Sequence, residues 1–418
     1  MALPLIVIVL AAMAAAVLAY GTDPNWAHFH HGIDFILWSR QWQWVLLSTS
    51  LLLCLALLTI IVSGKRRAWW LIGLLPILVL YSHRFLTGPA AASKVVEDPP
   101  FVTADRAGFL RDNDYVVGVK FGDSAYAFPY CVLYSAPAVI RSEQDERMIL
   151  LWSPYANKAT AYSITRDLRA RDLEVVSWPA NAMLLYNSRL GQFINGITAK
   201  TTKSQTPTGF RLPIRAVKEM WADWRQQYPH CLVMAPLNAD WQTAPSTPVP
   251  PRYPMPTTQP ADFRRVCVVA GTAPIAVPSD DITDVPLNLS AGETPVLLMR
   301  DGLSGQTLAF DRHVQYDLIP RFAKTSDARR PTAVMVDIDT DTEWSVAGEA
   351  LQGARETRGR SLTPMIAEDG LYWDVMKFWL PDLKPIDSDT LAAAVTQPPA
   401  LQNQQASRGQ NRRRRASQ

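Results

Sequence analysis

Leu212 to Pro236, LPIRAVKEMWADWRQQYPHCLVMAP, sets the reading of this 418-residue chain. Pro213 suits the first position of a helix, where its missing N–H is not needed and its φ is already helical. Val217, Met220, Trp221 and Trp224 fall at i, i+3, i+4 and i+7, so the spacing predicts one apolar stripe on a helix. Pro229 ends that helix by restricting Tyr228, and Cys231 to Met234 reads as a short buried strand. The stretch Asp369 to Pro381, DGLYWDVMKFWLP, echoes it: Trp373 precedes Pro381 by the same spacing that separates Trp221 from Pro229. A weak internal duplication is therefore expected. It speaks of architecture and not of chemistry.

Charge excludes one class of partner. Lys+Arg 41 against Asp+Glu 38 gives +3, but Arg408 and Arg412 to Arg415 sit in the C-terminal tail. Without those five the balance is 36 against 38, so the body of the protein is no basic nucleic-acid binder.

The N-terminus reads as a membrane region over residues 1–87, with helices expected at about 3–20, 42–62 and 68–81. The first two approach the roughly 20 apolar residues that a bilayer requires. The third is shorter and carries Pro76. Lys65, Arg66 and Arg67 place the loop between the second and third spans in the cytoplasm. The loop 21–41 and everything after the third span then face outward, so the expected location is the inner membrane with the rest periplasmic or extracellular. A cleaved signal peptide competes for Met1 to Tyr20, but the positive n-region is missing. Trp26, Phe29, Phe35, Trp38, Trp42 and Trp44 form an aromatic belt suited to the lipid–water boundary. His28, His30 and His31 could bind a metal, but no Cys, Glu or further His stands at ligand spacing, and a polar interfacial helix end is the better reading. No metal site is assigned, and no cofactor is identified.

Beyond a linker at 88–100, a first β-rich repeat is expected over 101–236. It opens with a short helix capped by Thr103, followed by a hairpin, VVGVKFGDSAYAF, around Gly122-Asp123. Strands are expected at Met148–Trp152, Leu173–Ser177 and Met183–Tyr186. A Pro-rich linker spans 237–262, densest from Pro245 to Pro260, and reads as a semi-rigid spacer or a loop laid over the surface. A second β-rich repeat, 263–386, has a hairpin about Asp301 to Gly305, a strand over Thr332–Ile338 and the second Trp helix. Residues 387–418 read as a disordered basic tail. Arg412, Arg413, Arg414 and Arg415 could meet an anionic lipid or an envelope polymer. The expected class is α+β with mostly antiparallel sheet behind N-terminal transmembrane helices.

The hairpin VVGVKFGDSAYAFPYCVL, the segment MLLYNSRLGQFINGIT and the helix MWADWRQQYPHCLVMAP together resemble the bacterial family called domain of unknown function 3179. The likeness covers Phe101 to Pro236 well and Pro295 to Pro381 more faintly. It implies an envelope setting and no known reaction. This chain departs from the family pattern where it counts. The W-H-E-x-x-N-D-like cluster is replaced at Tyr134 to Ile140, and a C-P-x-C pair is replaced by Trp152-Ser153-Pro154-Tyr155. The D-x-x-T-x-S-x-W segment is missing after Ser188, with a trace at Asp339 to Trp344.

No phosphate loop, dinucleotide fingerprint, nucleophile elbow or H-E-x-x-H is present. The densest acidic patch is Asp337, Asp339, Asp341 and Glu343. If VDIDTDTEW is one strand, all four carboxylates share a face and could recruit a divalent cation such as Ca²⁺. Alternatively they are edge-strand charges that discourage aggregation. Asn187 and Ser188 either line a cleft or form a side-chain-capped turn. Cys131 and Cys231 lack a base that would make a thiolate, so structural roles are expected. The sequence thus supports a membrane-anchored envelope protein acting as a non-catalytic binding or assembly module, with its ligand between the repeats. The alternative is an envelope hydrolase or transferase using Asp337 to Glu343, with a divalent cation as an option.

Overall fold

The computed structural model describes residues 2–63, 68–87, 92–255, 264–314, 318–325, 333–353, 357 and 359–395. Lys65, Arg66, Arg67, Pro256, Pro260 and Arg412 to Arg415 lie outside them. The chain divides into two compact units, 1–263 and 264–418.

The first unit begins with four helices: α1 (Ala2–Tyr20), α2 (Gly32–Gln41), α3 (Gln43–Ser63) and α4 (Leu74–Thr87). By length and composition, Leu3–Tyr20 and Gln43–Val62 are apolar enough to cross a bilayer, while Trp70–Leu86 is a shorter apolar helix. Helix α4 thus runs later than the span expected at 68–81. Ala68–Gly73 is a 3₁₀ segment, and Pro76 falls in the first turn of α4, where a missing N–H leaves no bond unmade. Small residues let the helices close: Ala11 and Ala15 are buried with Ile77, and Ser50 Oγ donates to Ala11 O at 3.0 Å. At the other end the rings of Tyr20 and His83 lie 5.1 Å apart. Leu5, Ile6, Met13, Leu52, Leu55, Leu75 and Leu78 point outward and are exposed.

Thirteen strands follow in this unit: β1 (Val95–Glu97), β2 (Phe101–Thr103), β3 (Tyr115–Phe121), β4 (Ser124–Pro129), β5 (Ala138–Glu143), β6 (Glu146–Ser153), β7 (Lys158–Ile164), β8 (Leu173–Ser177), β9 (Leu184–Asn187), β10 (Gln192–Asn195), β11 (Phe210–Ile214), β12 (Ala216–Met220) and β13 (Leu232–Met234). They form three sheets, ordered β12-β3-β4-β13-β2, β1-β5-β6-β7-β11 and β10-β9-β8. A short α5 (Tyr130–Leu133) follows β4. The β3–β4 hairpin turns at Gly122-Asp123 as expected, with Gly122 at φ 56°. Side chains alternate along β3, so Val116 enters one core with Trp221 and Trp224 while Val117 and Val119 enter another with Phe128 and Trp152.

Two expected helices give way here. Phe101–Thr103 is strand β2, paired with β13, and only Ala104–Arg106 makes a single 3₁₀ turn; Thr103 makes no side-chain cap. Of the helix drawn from Pro213, only α6 (Trp221–Gln227) exists. Ala216–Met220 is extended and pairs antiparallel with β3, register Val217↔Gly118. Nearly every residue of β3 is buried, so its second edge must find hydrogen-bond partners. That long-range pairing overrides local helix propensity. Trp221 and Trp224 remain on one helical face, both buried. Gly118 makes room for them: a Cβ there would fall 2.4 Å from the Trp224 ring.

The described part of the Pro-rich segment lies over this unit. Tyr115 N donates to Ser246 O at 2.8 Å, and Asn181, fully buried, grips Arg252 N and Tyr253 N through Oδ1 at 2.8 Å each.

The second unit holds β14 (Arg265–Val269), β15 (Ile275–Pro278), β16 (Leu287–Ala291), β17 (Thr294–Arg300), β18 (Thr307–Asp311), β19 (Phe322–Lys324), β20 (Ala333–Asp337), β21 (Thr342–Ser345), β22 (Ala350–Gln352), β23 (Thr363–Pro364), β24 (Ala367–Tyr372) and β25 (Lys384–Pro385). The sheets run β24-β14-β15-β25, β16-β17-β18-β23 and β19-β20-β21-β22. Helix α7 (Trp373–Trp379) starts directly after β24. The expectation of disorder from Asp387 onward is corrected for its first residues. Ser388–Ala394 is helix α8, begun by Asp387 Oδ1 accepting from Thr390 N at 2.7 Å. Leu391 and Ala394 then bury against Leu287 and Leu289 of β16.

Candidate functional site

The acidic row does not form. Asp337 ends β20, Ile338 to Asp341 make a four-residue turn, and Glu343 lies in β21. Asp337 is registered against Thr342 and Val336 against Glu343, so Asp337 and Glu343 project from opposite faces. Asp341, at φ 52°, closes the turn in the left-handed region that Asp tolerates.

Each carboxylate placed by the hydrogen bonds has local work. Asp337 is fully buried; its Oδ1 accepts from Arg321 N and Asp339 N, both at 3.2 Å, and its Oδ2 accepts from Thr340 Oγ1. The hydroxyls continue inward, Thr340 to Thr342 at 2.8 Å and Thr342 to Thr357 at 2.6 Å. Asp337, Thr340, Thr342 and Trp344 fall at the D-x-x-T-x-S-x-W spacing; a frame beginning two residues earlier in the sequence reading would have found this chain of groups. Asp339 is exposed and takes a bidentate fork from Arg321, 3.1 and 2.7 Å. The Arg321 hydrogen bond and charge hold the Asp339 carboxyl below the usual carboxylate range. These are the bonds of a braced turn.

Asn187 does the same work at the end of β9. It is buried, and its Oδ1 accepts from Arg189 N and Leu190 N at 3.1 and 3.2 Å. Ser188 is held by Asp172 O, through both N (2.8 Å) and Oγ (3.1 Å). The pair sits in a side-chain-capped turn. Asn187 and Ser188 lie in the first unit, the acidic hairpin in the second.

A cavity of about 660 Å³ opens in the second unit, at the far end of the same hairpin. Ala333, Val334 and Ser345 line it, together with Met299, Leu303 and Leu351, and Asp284, Asp301, Lys324 and Glu349 supply charge. Ala333 pairs with Ser345 at one end of β20–β21 and Asp337 with Thr342 at the other. Four strand steps of about 3.3 Å put roughly 13 Å between them. Two of its acids are already engaged: Asp284 with Lys324, and Asp301 with Leu303 N, Ser304 N and Ser304 Oγ. No single motif announces this groove, because five strands and four loops contribute to it.

Three of the four cysteines, Cys131, Cys231 and Cys267, are buried, and burial pushes the Cys131 and Cys231 thiols each up to about 11. His28 Nδ1 faces Met255 O at 3.2 Å and His31 faces Asp34 at 3.0 Å. No group of three or more His, Cys, Asp or Glu able to hold a metal occurs among the described residues.

One junction was invisible in the sequence. Arg40 at the end of α2 and Arg84 near the end of α4 both meet Glu174 of β8, Arg84 at 3.8 Å, and Arg84 also donates to Gln43 Oε1 at 3.0 Å. Arg40 lies over the Tyr186 ring at 4.4 Å, Ile36 of α2 packs on Val176, Leu184 and Phe193, and Ser177 Oγ donates to Thr22 O at 2.7 Å. The β10-β9-β8 sheet is thereby seated on α2 and on the helix ends.

Against known proteins, residues 95–382 match a family described as a protein of unknown function. No curated protein and no solved structure matches the chain.

Proposed function

The chain belongs to that family, DUF3179, and from this premise we propose that it is a membrane-anchored envelope protein with a non-catalytic binding or assembly role. The three apolar helices cross the inner membrane, with Lys65 to Arg67 on the cytoplasmic side and the β-rich units on the periplasmic or extracellular side. The packing of β8, β9 and β10 on α2 supports this topology, since Thr22, α2 and Arg84 near the end of α4 all meet that one sheet. The outward apolar side chains of the helices supply a lipid-facing surface.

The two units are copies of one design in this reading. Each pairs a return strand, an antiparallel hairpin and a final parallel strand in the same order, β12-β3-β4-β13 and β24-β14-β15-β25. Each inserts a seven-residue Trp helix after the return strand. Their four-residue turns correspond, Asn187↔Gln192 and Asp337↔Thr342, with Gly191 and Asp341 both left-handed.

The observation that carries the non-catalytic reading is the engagement of Asp337 and Asp339 by their own turn and by Arg321, about 13 Å along the strands from the groove. The groove of Leu303, Leu351 and Val334 is then the ligand surface. A hydrolase or transferase using Asp337 to Glu343 would need those carboxylates released from their turn. The test is calorimetric titration of the full chain in detergent with Ca²⁺ and Zn²⁺. The expected result is no saturable binding; saturable binding lost in Asp339→Ala and Asp341→Ala would replace this reading with the metal-assisted enzyme.

A further inference from the structure

Two loops of the first unit, 165–172 and 188–191, are joined by hydrogen bonds and carry Arg171, Arg189 and Leu190 outward. Ser188 N and Oγ both donate to Asp172 O, and Arg189 Nη1 reaches Asp167 O at 3.5 Å. The Arg171 side chain is 86% exposed, with Asp172 4.0 Å away as its ion-pair neighbour, and Leu190 is 44% exposed.

Position gives these residues meaning. Leu173 pairs with Asn187 and Glu174 with Tyr186, and Glu174 and Tyr186 are the residues that Arg40 holds at the end of α2. Asp172 is two residues from Glu174, about 7 Å along an extended chain. The same loop abuts the strand that the chain forms on leaving α4: Glu97 of β1 accepts from Ala170 N at 3.0 Å and from Arg169 at 2.9 Å. The paired loops therefore stand beside the ends of α2 and α4, and Trp38 and Trp42, on α2 and at its C-terminus, are exposed.

We propose that Arg171 and Arg189, with Leu190 as an apolar wedge, form a lipid-headgroup edge that takes the phosphate of an anionic phospholipid. This rests on the membrane topology above. Guanidinium groups bind phosphate through forked donors, and a basic residue near an anionic surface contributes about fivefold in binding. Leu190 enters the acyl boundary while the arginines stay at the phosphates.

The experiment uses the full chain in a neutral detergent, titrated with dioleoylphosphatidylglycerol or dioleoylphosphatidylcholine, with bound lipid counted by native mass spectrometry. The anionic lipid is expected to bind more tightly, and the double variant R171Q/R189Q to weaken it about 25-fold. The pair R106Q/R225Q, which removes two exposed arginines elsewhere in the unit, should leave it unchanged. Equal affinity for both lipids, or equal weakening in both double variants, overturns the headgroup edge while the membrane reading stands. A chain that stays monodisperse without detergent overturns both.

Discussion

Glu174 is the test of how the N-terminal apolar helices hold the β10-β9-β8 sheet. Arg40 and Arg84 are 7% and 6% exposed and share this one carboxylate, so Glu174→Gln leaves two buried guanidinium groups with reduced compensation. Removing one partner of a buried pair costs about 3–5 kcal/mol. The Glu174 side chain is 28% exposed, Arg40 keeps the Tyr186 ring, and Arg84 keeps Gln43 Oε1. These residual contacts and solvent screening lower the expectation to about 2 kcal/mol. For a unit of this size that is a fall of about 4–8 °C in Tm. The assay is thermal unfolding of the full chain in neutral nanodiscs, read by near-UV circular dichroism, with limited proteolysis within residues 165–172. Wild type should resist cleavage, Glu174→Gln should be cut sooner, and R40M/E174M/R84M should recover much of the lost stability because apolar replacement removes the desolvation penalty. No change in Tm for Glu174→Gln, or a triple variant worse than the single one, refutes the reasoning.

Asp337→Ala strips the acceptor from two backbone N–H groups and one hydroxyl, so a loss of about 2–4 kcal/mol is expected, whereas Asp337→Asn keeps the acceptor Oδ1 and should lose about 1 kcal/mol; chemical denaturation of the two variants checks the ranking, and equal losses would mean that the charge itself matters. Because Arg321 depresses the Asp339 pKa, the pair stabilises the fold above about pH 3.9 and ceases to do so as pH falls through the folded-state value. The difference in Tm between wild type and Arg321→Gln should therefore shrink as pH falls below about 4, and a constant difference would contradict the pairing. Cys131 and Cys231, buried and with pKa about 11, should resist iodoacetamide at pH 8 until the protein is unfolded, as counted by intact-mass spectrometry.

Much of the fold was legible because its signals are local. The Gly122-Asp123 turn, the apolar runs of β6 and β8 and the paired Trp residues each fix their element from a few neighbours. The errors came where distant partners decide. Ala216–Met220 carries a helical stripe but answers the open edge of β3, a demand set a hundred residues earlier. The alternation of VDIDTDTEW looks like one strand, yet Asp341 accepts a left-handed turn that folds the run back on itself. Helix α8 was hidden by a composition poor in large apolar residues, although Asp387 is a cap in plain view. For the site the split is sharper. Asn187 reads as a polar strand end and Asp337 as one member of an acidic strand, and nothing local tells a turn brace from a ligand. The groove and the Glu174 junction depend on residues as far apart as Arg40 and Glu174, 134 positions, and no window of sequence contains them.

The central claim is the membrane topology, and impermeant thiol labelling of intact bacterial cells tests it directly. Single cysteines are introduced at Ser204, exposed on the first unit, and at Lys65, between α3 and α4 in the sequence, while Cys131, Cys231 and Cys267 are buried. The account predicts that Ser204→Cys is labelled in intact cells and Lys65→Cys only after permeabilisation. Labelling in the reverse order would place the β-rich units in the cytoplasm and contradict it.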